Sequence, residues 1–134
     1  MNPASRTNME LNDITAEVVD GAMKVHSTLG PGLLESAYQT CLAYELRKRG
    51  LEVDVQVPLP LVYEGVYLEV GYRIDMLVER QVIVEIKAVR ACPPVYEAQL
   101  LSHLRLSGRR IGLLINFHAM HLKDGIKRMI NDPA

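Results

Sequence analysis

Apolar positions recur at helical spacing near the start of the chain. Ile14, Val18, Ala22, Val25 and Leu29 fall on one stripe and predict a helix opening at an Asn12-Asp13 cap. Gly30-Pro31-Gly32 ends it, because the first glycine tolerates left-handed dihedrals and the proline cannot continue the ladder. A second helix is predicted over residues 33–49, with Leu34, Tyr38, Cys41, Leu42 and Leu46 turned inward and Gly50 closing it.

Beyond Gly50 the period drops to two. Val53, Val55 and Val57 alternate with Glu52, Asp54 and Gln56, as in a half-buried strand. Pro58 and Pro60 confine that segment to a sheet edge. Glu64-Gly65 marks a turn before strand-like residues 66–68, and residues 72–79 and 81–88 read as two strands joined at Arg80. Pro93-Pro94 opens a third helix that Gly108 closes. Residues 110–117 are so continuously apolar that both faces must be covered, as in a parallel pairing. Leu122, Ile126, Met129 and Ile130 predict a last, short amphipathic helix.

The predicted order is α-α-β-β-β-α-β-α. A right-handed crossover should set the strands of residues 81–88 and 110–117 parallel. The expected class is α/β, a mixed sheet flanked by helices.

Composition narrows the partners. The 134 residues suit one domain, read here as residues 11–134 behind a loose leader of residues 1–10. Fifteen Lys+Arg against 16 Asp+Glu give a formal net charge of −1, so no basic coat is available and a phosphate-binding surface must be local. Candidate patches are Arg47-Lys48-Arg49, Arg105/Arg109/Arg110 and Lys123/Lys127/Arg128, each equally readable as a solvated helix face. Two cysteines exclude a disulfide framework and a four-cysteine zinc site. No apolar run reaches membrane-spanning length and residues 1–13 lack a signal-peptide core, so the cytoplasm is the expected compartment.

The chemistry concentrates in the two central strands. Ile74, Met76 and Val78 should face one side, as should Val82, Val84 and Ile86, with Asp75, Glu85 and Lys87 on the other. A three-residue loop over residues 79–81 pairs Val78 with Val82, Met76 with Val84 and Ile74 with Ile86. The same register sets Asp75 opposite Glu85. Like charges placed opposite each other are destabilising, so Lys87, Arg73 or a divalent cation should compensate them. Two carboxylates with open positions suit Mg²⁺ or Mn²⁺ better than zinc. The plain alternative is a solvated sheet face with surface ion pairs.

Glu35 lies seven residues before Leu42, close to the core-facing stripe, where a carboxylate needs a partner or a metal. The alternative is an edge residue bonded to Tyr38 or reaching water. His26 on the first helix reads as a satisfied core histidine or a secondary ligand. Gln99 and His103 share a helix face and can reach a phosphate or a bound water. Cys41 reads as core filler, and Cys92 lacks a case as a nucleophile. His118 and His121 lack the further ligands a metal site needs.

Several motifs, in order, resemble the GxxExxY protein family of the PD-(D/E)xK nuclease-like superfamily. They are Gly32-Leu-Leu-Glu35-Ser-Ala-Tyr38, Gly71-Tyr-Arg-Ile-Asp75, Val84-Glu85-Ile-Lys87-Ala88, Glu97-Ala-Gln99-Leu, Leu113-Leu-Ile-Asn116-Phe117 and Leu122-Lys-Asp-Gly125. The resemblance spans roughly residues 14–131. It implies a restriction-endonuclease-like core, α-β-β-β-α-β, here with an extra N-terminal helix and a short C-terminal one. It further implies a nuclease that uses Mg²⁺ or Mn²⁺ on DNA or RNA. Asp75 and Glu85 would hold the ion with help from Glu35, Lys87 would position water, and Gln99 would orient substrate. Tyr38, His26 and His103 stand in a second tier. Ile74 replaces the superfamily's proline, and His103 stands where a tyrosine often follows the glutamine. The rival reading is a nucleic-acid-binding or regulatory module that keeps the fold without turnover. A third is a homodimer whose joined surfaces form the substrate cleft.

Overall fold

A computed structural model describes residues 9–132. The predicted leader, residues 1–10, therefore lies almost wholly outside the described residues. The first apolar stripe folds as helix α1 (Leu11–Leu29), and all of it is buried except Leu29. The helix starts earlier than the Asn12-Asp13 cap predicts. Glu10 takes the capping position without a side-chain bond, and Asn12 instead accepts a hydrogen bond from Arg128 at 2.6 Å.

Helix α2 (Glu35–Lys48) buries Tyr38, Leu42 and Leu46, and Gly50 follows its end with φ of 89°. Leu34, predicted to face inward, stands before the first turn and is 76% exposed. The two helices approach closely at Gly21, where a Cβ would meet Leu46 Cδ2 at 2.9 Å.

Strand β1 (Val53–Pro58) is an edge strand, as its prolines require. Strands β2 (Leu61–Tyr63) and β3 (Val66–Leu68) form a separate hairpin across Glu64-Gly65, both at positive φ. The partner of residues 66–68 was absent from the sequence pattern, because the run 61–63 is too short to show a period. Strands β4 (Arg73–Val78) and β5 (Val82–Lys87) follow, then helix α3 (Pro94–Ser107), capped by Gly108 in the left-handed region. Strand β6 (Ile111–Asn116) is buried throughout, as predicted for a central parallel strand.

The last predicted helix is absent. Residues 122–125 form a short 3-10 turn and Ile126–Ile130 form strand β7, antiparallel to β6. The spacing of Leu122, Ile126, Met129 and Ile130 mimics a helical stripe, but β6 would otherwise leave its outer edge of N–H and C=O groups unpaired. In the strand, Ile126 packs on the α1/α2 side and Met129 on the α3 side.

The five-stranded sheet runs β1-β4-β5-β6-β7, with only β5 and β6 parallel. Helices α1 and α2 cover one face through Ile14, Val18, Tyr38, Leu42 and Leu46 against Met76, Val84 and Leu113. Helix α3 covers the other through Leu100 and Leu104 against Leu77, Ile83 and Leu114. Ile74 was expected beside Met76 and Val78 but packs with Leu59 in the α3-side cluster. Its partner strand changes side in step: in β1, Val53 packs in the α1/α2-side cluster and Val57 in the α3-side one, with Gln56 between them at φ of 51°.

Candidate active site

The β4–β5 register is the predicted one: Val78 pairs with Val82, Leu77 with Ile83 and Met76 with Val84. The predicted Ile74/Ile86 pair does not form: Ile74 packs on the α3 side and Ile86 on the α1/α2 side. The ladder stops one position short of Asp75 and Glu85. In its place, Asp75 Oδ2 accepts the Ile86 backbone N–H at 2.8 Å. The opened strand ends give a cleft of about 470 Å³ between the sheet and α3, lined by Tyr72, Arg73, Asp75, Glu85, Lys87, Gln99 and His103.

Glu85 is only 8% exposed. Burial pushes its carboxyl above the ordinary glutamate value, and the neighbouring Asp75 charge pushes the same way. His103 opposes the shift: its Nδ1 lies 2.9 Å from Glu85 Oε1. The Tyr72 ring rests 5.9 Å from that imidazole. Lys87 Nζ sits 4.3 Å from the centre of the Tyr96 ring, which fixes the ammonium at the cleft. Gln99 is exposed on the α3 wall of the same cleft.

Asp75, Glu85, Lys87, Gln99 and His103 thus converge. Glu35 does not join them. It is exposed at the first residue of α2 and does not line the cleft, because the buried stripe projected back from Leu42 ends at Tyr38. The Tyr38 hydroxyl donates to Gly30 O at 2.5 Å and accepts the Leu33 N–H at 3.1 Å, so it is not a partner for Glu35. Its ring stacks on Phe117 at 4.5 Å. His26 Nε2 donates to Ala119 O at 2.7 Å, the satisfied-histidine reading. Cys41 packs against the core, and burial raises the Cys92 thiol pKa, against a nucleophile.

Of the basic patches, Arg49 is held by Glu45, Asp20 and Glu17, and Arg47 donates to Val53 O. Lys127 pairs with Glu97. Tyr96 and Tyr72 escaped the sequence reading. The only signal for Tyr96 was its place three residues before Gln99, one turn away on the same helix.

Among the described residues, no group of three or more His, Cys, Asp or Glu is arranged as a metal cage. A Mg²⁺-type ion requires less, since one or two carboxylates suffice when water and phosphate oxygens complete its shell. Asp75 and Glu85 fit that demand. Among the described residues neither makes an ion pair with lysine or arginine, and each keeps one oxygen beyond its protein hydrogen bond.

A family model described as the PD-(D/E)XK nuclease superfamily matches residues 12–129. The core order α2-β1-β4-β5-α3-β6 and the mixed sheet agree with its restriction-endonuclease-like fold. Neither a curated protein nor a solved structure matches the chain significantly.

Proposed function

This chain belongs to the PD-(D/E)XK nuclease superfamily, and on that premise we propose that it hydrolyses phosphodiester bonds in DNA or RNA with Mg²⁺ or Mn²⁺. The observation that carries the reading is the meeting of Asp75, a buried Glu85 and Lys87 at one cleft. Asp75 and Glu85 would hold the ion. When bound, it polarises the phosphodiester and lowers the pKa of a coordinated water.

The chain's own groups do the rest. The Ile86 N–H anchors one Asp75 oxygen and leaves the other for the cleft. His103 fixes the rotamer of Glu85 and satisfies one of its oxygens. Lys87, steadied against Tyr96, orients the attacking water and stabilises charge developing on the phosphate. Gln99 orients the substrate from the α3 wall. Glu35 does not line this cleft and has no part in the scheme.

The GxxExxY branch is the finer assignment. It is supported by Gly32, at φ of 107°, and by Tyr38, which ties that turn to helix α2. Residues 11–134 are read as one domain, working in the cytoplasm. No helix of the described residues is long and apolar enough to cross a membrane.

The test uses the purified full chain with single- and double-stranded DNA and RNA, in Mn²⁺ or in EDTA. Wild type should cleave only with Mn²⁺, and Asp75→Ala and Lys87→Ala should each lose about 100-fold or more. Binding without cleavage, unchanged by either substitution, would instead identify a catalytically silent binding module.

A further inference from the structure

Lys87 and Asn116 are partners in the parallel β5–β6 ladder, so their side chains share the sheet face beneath α3. The chain then leaves β5 through residues 88–93, and this segment borders two clefts. Lys87 and Val95, at its two ends, line the cleft that holds the acids. Val89, Arg90, Ala91 and Cys92 line a second one of about 560 Å³, at the carboxyl ends of β5 and β6.

The second cleft is pre-built. Buried Asn116 accepts the Val89 N–H at 3.1 Å and the His118 N–H at 3.2 Å, and donates to Val89 O at 2.9 Å. That amide locks the segment to the β6 end. Val89, Ala119 and Met120 give the cleft an apolar wall, while Arg90, His118, Asp124 and Lys127, the last paired with Glu97, supply its polar lining. Arg90 is exposed at its edge and, among the described residues, makes no ion pair. Arg73, lining the first cleft, likewise makes no ion pair among the described residues.

We propose that the second cleft is a nucleotide subsite for single-stranded nucleic acid: it takes the base beside the scissile phosphodiester against Val89, Ala119 and Met120, and the adjoining phosphate on Arg90. The inference rests on the nuclease reading and adds a substrate class to it. An apolar wall with a free guanidinium suits a base and its phosphate. A base can enter only when it is out of a duplex stack, which selects single strands.

Binding is measured by fluorescence anisotropy in EDTA, where turnover stops, with short labelled oligothymidylate, oligouridylate and a duplex of equal length. Wild type should bind one of the single strands about tenfold more tightly than the duplex. Arg90→Gln should weaken that binding and reduce the slope of log affinity against log salt by about 0.7, the value for one phosphate contact. Ala91→Trp fills the cleft from its exposed rim and should erase the single-strand preference, with an unchanged melting temperature. If both variants bind like wild type with the same salt slope while Mn²⁺-dependent cleavage persists, the subsite is wrong and the nuclease stands. If wild type cleaves nothing in Mn²⁺, the nuclease reading itself has failed.

Discussion

Asp75 and Ile86 are joined by a side chain at the point where the ladder between their strands stops: the carboxylate accepts the Ile86 N–H at 2.8 Å. The same residue therefore does backbone work and supplies a negative charge beside Glu85. Substitutions separate the two duties. Asp75→Asn keeps an acceptor for the N–H and removes the repulsion, whereas Asp75→Ala leaves the buried amide unpaired. Denaturant titration should find the alanine variant about 1–3 kcal/mol less stable than the asparagine variant, with cleavage lost in both. Equal stabilities would show that the Asp75–Ile86 bond contributes nothing.

The raised Glu85 pKa makes a signed prediction about pH. Burial holds the proton on the folded chain more tightly than on the unfolded one, so the folded state is favoured at low pH. That advantage is lost as pH rises from the ordinary glutamate value of 4.5 through the raised one. Glu85→Gln retains an acceptor for His103 and removes the titration. In metal-free buffer it should melt above wild type at neutral pH, with the gap closing below pH 4.5. A variant less stable than wild type at neutral pH would overturn the assignment of burial as the dominant cause.

Helix α3 reaches the sheet over Gly112. A Cβ there would lie 2.8 Å from Leu100 Cδ1 and 3.3 Å from the Ile83 carbonyl oxygen, and Leu100 is fully buried. Gly112→Ala should cost about 1–3 kcal/mol and lift the helix that carries Gln99 and His103. Cleavage should fall with stability. A variant of wild-type melting temperature would mean that the helix yields freely.

Tyr38→Phe removes the hydroxyl that bridges Gly30 O and the Leu33 N–H while keeping the ring against Phe117. The expected loss is about 1–3 kcal/mol of stability, with cleavage unchanged once the protein is folded. A variant of full stability but no activity would move Tyr38 into the chemistry.

The two central strands were legible because a loop of three residues and the rule of apolar against apolar leave one register. That register extended would pair Asp75 with Glu85; the ladder ends at Met76 and Val84, and the two acids meet at the cleft instead. The third helix and the parallel β6 were equally plain, each being bounded by proline, glycine or an unbroken apolar run. Residues 126–130 misled, since a spacing that fits a helical stripe also fits an edge strand with Ile126 packed on one face, Met129 on the other and Ile130 exposed. Glu35 misled because it opens α2, one turn before the first buried position, Tyr38, and is exposed there.

The sequence by itself determined which residues could carry the chemistry and which strand pair holds them, because alternation and register are local. Tertiary structure alone decided the rest. It brought His103 from α3 onto Glu85, set Tyr96 against Lys87, and spent the Asp75 carboxylate partly on a backbone amide. Those partners lie 9 to 18 residues apart in the chain: the packing of α3 on the sheet brings His103 and Tyr96 to β5, and the parting of β4 from β5 frees the Ile86 N–H for Asp75.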